Sequence, residues 1–382
     1  MAPRRVGFAA VTGGYLATTT AEWILPPLFP LLADELSLGT GDAGLMFAVL
    51  SGSVAVGGLA GGFVLVRLGP RVGVTVGLLL VAAGAALSAV AGGQALLLVG
   101  QAVLGFGSGA FFAPGIRTAA LLAGTERRGL AIGIFGVAFS AGVAVAGLLA
   151  AGGDLWGWRS SFAAAALLAV ATALWCLLAR LPAVLPPPTG GTSFRLSAAV
   201  SPVAVGGVAA ACQYGTVAFL PLFAVYAWDL SPATAALVIT VSRVLSVPAK
   251  LLSGNAADRE SSVRIARRLG VGLALLGACW TLAPWPAVAV AAAVVFGAFV
   301  AALGPVANIL ALDAFEGRAQ LLGAFRSVQI GLGAATSAIL GVGAALLDLR
   351  TVLVVAAVAV PASLLLLGRA AHARDSSLAQ GR

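Results

Sequence analysis

The sequence predicts an all-α polytopic membrane protein, with twelve transmembrane helices in two six-helix pseudo-repeats. Three observations carry that fold class. The 382 residues are 60% hydrophobic and only 9% charged, with a mean hydropathy of +1.07, whereas a soluble domain is about a quarter charged. The apolar residues run unbroken for about 20 at a time, the length needed to cross a bilayer as helix. The short breaks between runs alternate between basic and acidic.

In order, the runs lie roughly at 6–32, 43–66, 72–92, 94–116, 129–152, 160–181, 199–227, 233–257, 266–284, 287–312, 321–347 and 350–368. The first has a basic front, "MAPRR", like a secretory leader. Its apolar stretch continues through Glu22 to Leu32, however, so it reads as a retained first span. Spans three and four are separated only by "AGGQ", and nine and ten by "APWP". The longest polar interruption, "LPAVLPPPTGGTSFRLS", is rich in Pro and Gly and reads as a linker. It divides the chain into a six-helix half (1–181), a cytoplasmic linker (182–198) and a second six-helix half with a polar tail (199–382).

Charge sets the orientation. Arg67, Arg71, Arg127, Arg128, Arg195, Arg259, Arg264, Arg267, Arg268 and Arg318 fall in loops on the side of the termini. Asp34, Glu35, Asp42, Asp154, Asp229 and Asp348 fall in the opposite loops, with only Arg159 and Arg350 as cations. The basic side is expected in the cytoplasm, which places both termini there. The same distribution argues against nucleic acid as the partner of a chain with net charge +9, because no basic run carries interleaved aromatics. The abundance of Ala, Gly and Arg points to a bacterial plasma membrane.

The 50 glycines and runs such as "GGLAGG" favour close helix packing where no hydrophobic effect drives association. Cys176, Cys212 and Cys279 are isolated in apolar runs, which implies neither a disulfide framework nor a metal site. No cofactor is expected. "GFGSG" (105–109) lies inside a span and is not a phosphate loop. "GTGD" (39–42) has no second intramembrane aspartate to serve an aspartyl protease, so an enzyme is not expected.

The halves resemble each other. "GGFVLVRLG" and "SGNAADRES" each close the second span of a half, pairing Gly62 with Gly254 and Arg67 with Arg259. Parallel six-helix repeats of this kind characterise one large transporter fold. The sequence resembles the major facilitator superfamily over nearly its whole length, most sharply in that loop motif. "GFVLVRLGPR" keeps Gly62, Arg67, Gly69 and Arg71 but has Val66 where the family has an acid. "GNAADR" keeps Gly254, Asp258 and Arg259. The resemblance implies gating roles for these seven residues, set against ordinary helix-end charge. Gln101 stands where many proton antiporters of the family have arginine, and the fifth span lacks their Gly-Pro. Both departures weaken a drug-export assignment.

Inside the membrane, Tyr15, Thr18, Thr19 and Glu22 share one helix face, and Arg243, Ser246, Lys250 and Ser253 share another in the eighth span. Gln213 with Thr216 marks the seventh span, Asn308 the tenth, and Arg326 with Gln329 the eleventh. A charge at mid-membrane costs about 2.5–3.5 kcal/mol or more, and Glu22 and Arg243 lie deepest. Two readings stand. They neutralise each other as a structural pair, or they line a cavity in which Arg243 takes a substrate anion and Glu22 carries a coupling proton. On the second reading Tyr15, Gln213, Lys250, Asn308, Arg326 and Gln329 are the other substrate-binding candidates. Trp23, Trp156, Trp158, Trp228 and Trp285 fall near span ends and read as interface anchors.

The expected function is secondary active transport by alternating access, moving a small organic anion with protons. The alternatives are a proton-coupled exporter of drugs or hydrophobic compounds and, from another class, a non-transporting sensor or scaffold. The expected partners are a small-molecule substrate, protons and the lipid bilayer, with a monomer as the unit.

Overall fold

The structure is a computed structural model, and it describes residues 2–123, 128–179, 181, 196–257, 260–315 and 319–367. Among these residues every regular element is a helix. Eleven runs are long and apolar enough to cross a membrane. The first span makes the twelfth. It consists of Ala2–Trp23 and Leu25–Leu36, broken at Ile24. The cause is local: Pro26 and Pro27 have no N–H for the carbonyls of Glu22 and Trp23 four residues back.

The second and third spans share the run Thr40–Ala89, broken at Gly69, whose φ of 80° and ψ of 169° leave the helix. That conformation is open to glycine and strained for other residues, and Pro70 then starts the next helix with its preset φ. Asp42 caps the second span, its Oδ2 accepting the N–H of Gly39 at 2.8 Å while Oδ1 accepts from Gln94. Spans four to six are Gln94–Ala123, Arg128–Trp156 and Trp158–Leu178.

The seventh span is composite. Val200–Ala210 is α-helical, Ala211–Thr216 forms a π-helical segment, and Val217–Trp228 resumes the α-helix. The remaining spans are Pro232–Ala257, Ser262–Leu282, Pro286–Ala314, Ala319–Leu346 and Leu349–Ala362, the last extended by Ser363–Leu366. The linker 182–195, and Asp258 and Arg259 of the second loop motif, lie outside the described residues.

The halves meet through matching elements: the second span packs on the eleventh and the fifth on the eighth. A Cβ on Gly44 would stand 2.3 Å from the Cα of Gly341, and one on Gly147 would stand 2.2 Å from Oγ1 of Thr240. These backbone approaches lie toward the acidic ends of the spans. At the basic ends, a Cβ on Gly62 or Gly136 would meet no atom within 4 Å. The "GGLAGG" glycines serve packing within one half instead: Gly57 and Gly61 abut the carbonyls of Phe106 and Ala110 in the fourth span.

On the acidic side Arg159 reaches Glu35 at 2.5 Å and the carbonyl of Ala91 at 3.0 Å, while Trp158 Nε1 donates to Glu35 at 2.7 Å. The expected belt of five tryptophans is only partly seen. Trp156 and Trp285 are exposed, but Trp23, Trp158 and Trp228 are buried in the core. The correction has a physical reason: each of the three packs against another aromatic ring of the bundle.

Candidate functional site

Glu22 sits at the end of the first helix segment, one turn before the prolines that break it, and is 6% exposed. Its two oxygens accept two hydroxyls: Oε2 from Ser108 of the fourth span at 2.6 Å, and Oε1 from Tyr214 of the seventh at 2.8 Å. Tyr214 belongs to the π-helical segment, where an extra residue per turn re-aims side chains, as often happens at functional sites. Its carbonyl accepts the hydroxyl of Ser337 in the eleventh span at 2.6 Å. Glu22 therefore bonds to both halves of the molecule, and it does not pair with Arg243.

Arg243 is 1% exposed, and none of its three guanidinium nitrogens has a hydrogen-bond partner. Its Cζ lies 5.9 Å from the centre of the Trp23 ring. Lys250, two turns on, donates to Ser140 of the fifth span at 2.6 Å and stands 5.3 Å from the Phe139 ring. Ser140 lies 3.1 Å from Ser246, whose hydroxyl bonds the Arg243 carbonyl at 2.7 Å. Arg326 donates to Gln329 at 2.7 Å and lies 5.3 Å from the Phe112 ring. Neither Arg243, Lys250 nor Arg326 is in an ion pair; those found among the described residues, Arg159–Glu35 and Arg268–Glu260, are at the surface.

A central cavity of about 30 Å³ is lined by Tyr15, Glu22, Ser108, Phe112, Tyr214 and Arg326, among others. Of the residues singled out in the sequence, the fold brings Tyr15, Glu22 and Arg326 together here, with Gln329 behind Arg326. Arg243 and Lys250 stand behind aromatic rings, against Trp23 and Phe139. Gln213 is buried nearby with its Nε2 unpartnered. Asn308 is exposed and does not line the cavity. Ser108, Tyr214, Phe112 and Phe139 went unrecognised in the sequence. Ser108, set among the glycines of "GFGSG", was the one with a visible signal.

Of the gating candidates, Gly69 forms the break between spans two and three, and the exposed Arg71 bonds the carbonyl of Leu177 at 3.2 Å. Arg67 is exposed beside them. Gly254 has its nearest neighbour at Pro305, 4.0 Å from where a Cβ would stand.

The sequence model of the Major Facilitator Superfamily matches residues 11–229, more than half of the chain. The chain belongs to the major facilitator superfamily. It is also similar in fold to a solved structure described as an MFS transporter, FucP, in the outward conformation. That similarity has a TM-score of 0.65 and 16% sequence identity, covering 95% of this chain and 98% of that one. No curated protein matches the sequence. Members of the superfamily are integral membrane transporters of small molecules, so the lipid bilayer is this protein's solvent and a small solute its cargo.

Proposed function

We propose that this superfamily member is a proton-coupled transporter of small organic anions, working by alternating access. One observation carries the reading. Arg326 lines the central cavity with Glu22, Arg243 and Lys250 stand behind its aromatic neighbours, and among the described residues none of these three cations is in an ion pair. A buried, unpaired charge is costly unless function requires it. The Glu22–Arg243 pair would have accounted for one of them structurally, and its absence removes that account. A carboxylate entering the site meets Arg326 first, and Arg243, once Trp23 turns aside, is suited to grip it by two parallel hydrogen bonds. Glu22, bonded by hydroxyls from both halves, is the group that takes and releases the proton.

In this reading the close contacts of Gly44 with Gly341 and of Gly147 with Thr240 seal the acidic side, and substrate reaches the site from the basic side. The arginine asymmetry makes that side cytoplasmic, in the inner membrane of a bacterium. The linker 182–198 joins the two halves in the chain, and the monomer is the working unit.

The test is thermal stabilisation of the purified protein by acetate, lactate, succinate and a lipophilic cation, repeated with Arg243→Ala and Glu22→Gln. A ligand at a hundred times its Kd stabilises by about 2.7 kcal/mol. Stabilisation by a carboxylate that is lost in Arg243→Ala supports the proposal. Stabilisation by the cation alone, lost in Glu22→Gln, overturns it in favour of an exporter of cationic compounds.

A further inference from the structure

The three cations share a feature that their number alone does not explain: each lies against an aromatic ring, and the rings are linked. Phe112 stands 5.8 Å from Tyr15, Tyr15 6.1 Å from Phe139, Phe139 6.5 Å from Trp23, and Trp23 5.2 Å from Tyr214. Arg326 lies on the first of these rings, Lys250 on Phe139 and Arg243 on Trp23. Phe112 and Phe139 are only half-buried and line the cavity. Also lining it are Gly58, Gly109 and Ala113, which present almost no side chain. The cavity is thus bounded by an aromatic ribbon and by small residues.

From this geometry we infer that the substrate is an aromatic monocarboxylate, a deepening that rests on the anion reading above. Its flat ring lies between the ribbon and the small residues, and its carboxylate meets Arg326, the cation that lines the cavity. Offset or edge-to-face contacts with Phe112 and Phe139 reward a π-face over an equally bulky saturated ring. A second carboxylate is disfavoured, because the hydrogen-bond donors at the other end of the cavity, Ser108 and Tyr214, are already taken by Glu22. The cavity in this state holds only water-sized molecules. The ring's space therefore opens as the halves part on the basic side.

The experiment compares dissociation constants for benzoate, cyclohexanecarboxylate and succinate, by calorimetry on the full chain in detergent, with tetraphenylphosphonium as the cationic control. Benzoate is expected to bind about three- to tenfold more tightly than cyclohexanecarboxylate. That preference is expected to shrink toward parity in Phe139→Leu or Phe112→Leu, which keep the apolar bulk and lose the ring. Equal affinity for benzoate and cyclohexanecarboxylate, or succinate binding above both, overturns the inference and leaves the anion reading standing. A benzoate preference unchanged in both leucine variants overturns the role of the ribbon. Binding of tetraphenylphosphonium with no carboxylate bound overturns the anion reading itself. Should the leucine variants fail to fold, the benzoate-to-cyclohexanecarboxylate ratio in the unsubstituted protein decides alone.

Discussion

At the scale of single residues, the proposed anion site sets stability against function at Arg243. A fully buried guanidinium without a hydrogen-bond partner is a cost to the resting protein, eased by the Trp23 ring at 5.9 Å. Arg243→Met, which fills similar space without charge, is expected to stabilise the protein by up to about 2–3 kcal/mol. It is also expected to abolish stabilisation by carboxylates. Thermal melts with and without ligand measure both. Because Glu22 bonds Ser108 and Tyr214 rather than Arg243, Glu22→Gln and Arg243→Met are expected to be additive within about 0.5 kcal/mol. A double-mutant cycle showing a coupling of several kcal/mol would restore the structural pair. The sequence made the cost of Glu22 and Arg243 legible, since depth and charge follow from position in an apolar run. It left their partners unreadable: Ser108 and Tyr214 stand 86 and 192 residues from Glu22, and hydroxyls common in packed helices give no signal of which carboxylate they meet.

At the scale of elements, small residues set how closely the spans pack. The break between the second and third spans was legible in "LGPR", because glycine followed by proline marks a helix boundary. Gly69→Ala is expected to cost about 1–3 kcal/mol, since alanine is strained at a φ of 80° and a ψ of 169°. Denaturation of the purified variant checks this. The inter-half contact at Gly44 is tighter. A methyl there would come within 2.3 Å of the Gly341 backbone, so the second and eleventh spans must part. Gly44→Ala is expected to open the acidic side. Ala334, deeper along the same interface and 9% exposed, becomes the reporter. In a background without the native cysteines, Ala334→Cys is expected to react faster with a membrane-impermeant maleimide when Gly44→Ala is present. An unchanged rate would mean that this contact does not hold the acidic side shut. The π-helical segment of the seventh span was not legible. Its six residues, "ACQYGT", hold a single glycine and no proline, a weak signal, and the segment is tied by tertiary contacts such as the bond from Ser337 to the Tyr214 carbonyl.

At the scale of the whole molecule, two six-helix halves followed from hydropathy and loop charge, because the bilayer imposes both length and sign on the sequence. The tryptophans were misread by the same reasoning, since a position near a span end does not say which face the ring takes. On the acidic side, Arg159 ties the sixth span to Glu35 of the first. That hydrogen bond, reinforced by Trp158, holds the Glu35 carboxyl below its usual range. A depressed folded-state value contributes stability above the ordinary carboxylate pKa and loses it as pH falls through the folded one. The pair is substantially exposed, so its contribution is limited to about 0.2–1 kcal/mol. Glu35→Gln is expected to lower the melting temperature slightly at pH 7, with the difference from the unsubstituted protein vanishing as pH falls below about 4.

The central claim is that an anion bound among the unpaired cations is linked to a proton on Glu22. Calorimetry of benzoate binding at pH 7 in two buffers of different ionisation enthalpy counts the protons taken up with the ligand. About one proton per benzoate is expected in the unsubstituted protein, and about none in Glu22→Gln with binding retained. Binding without proton uptake, or an uptake that survives Glu22→Gln, would contradict the account.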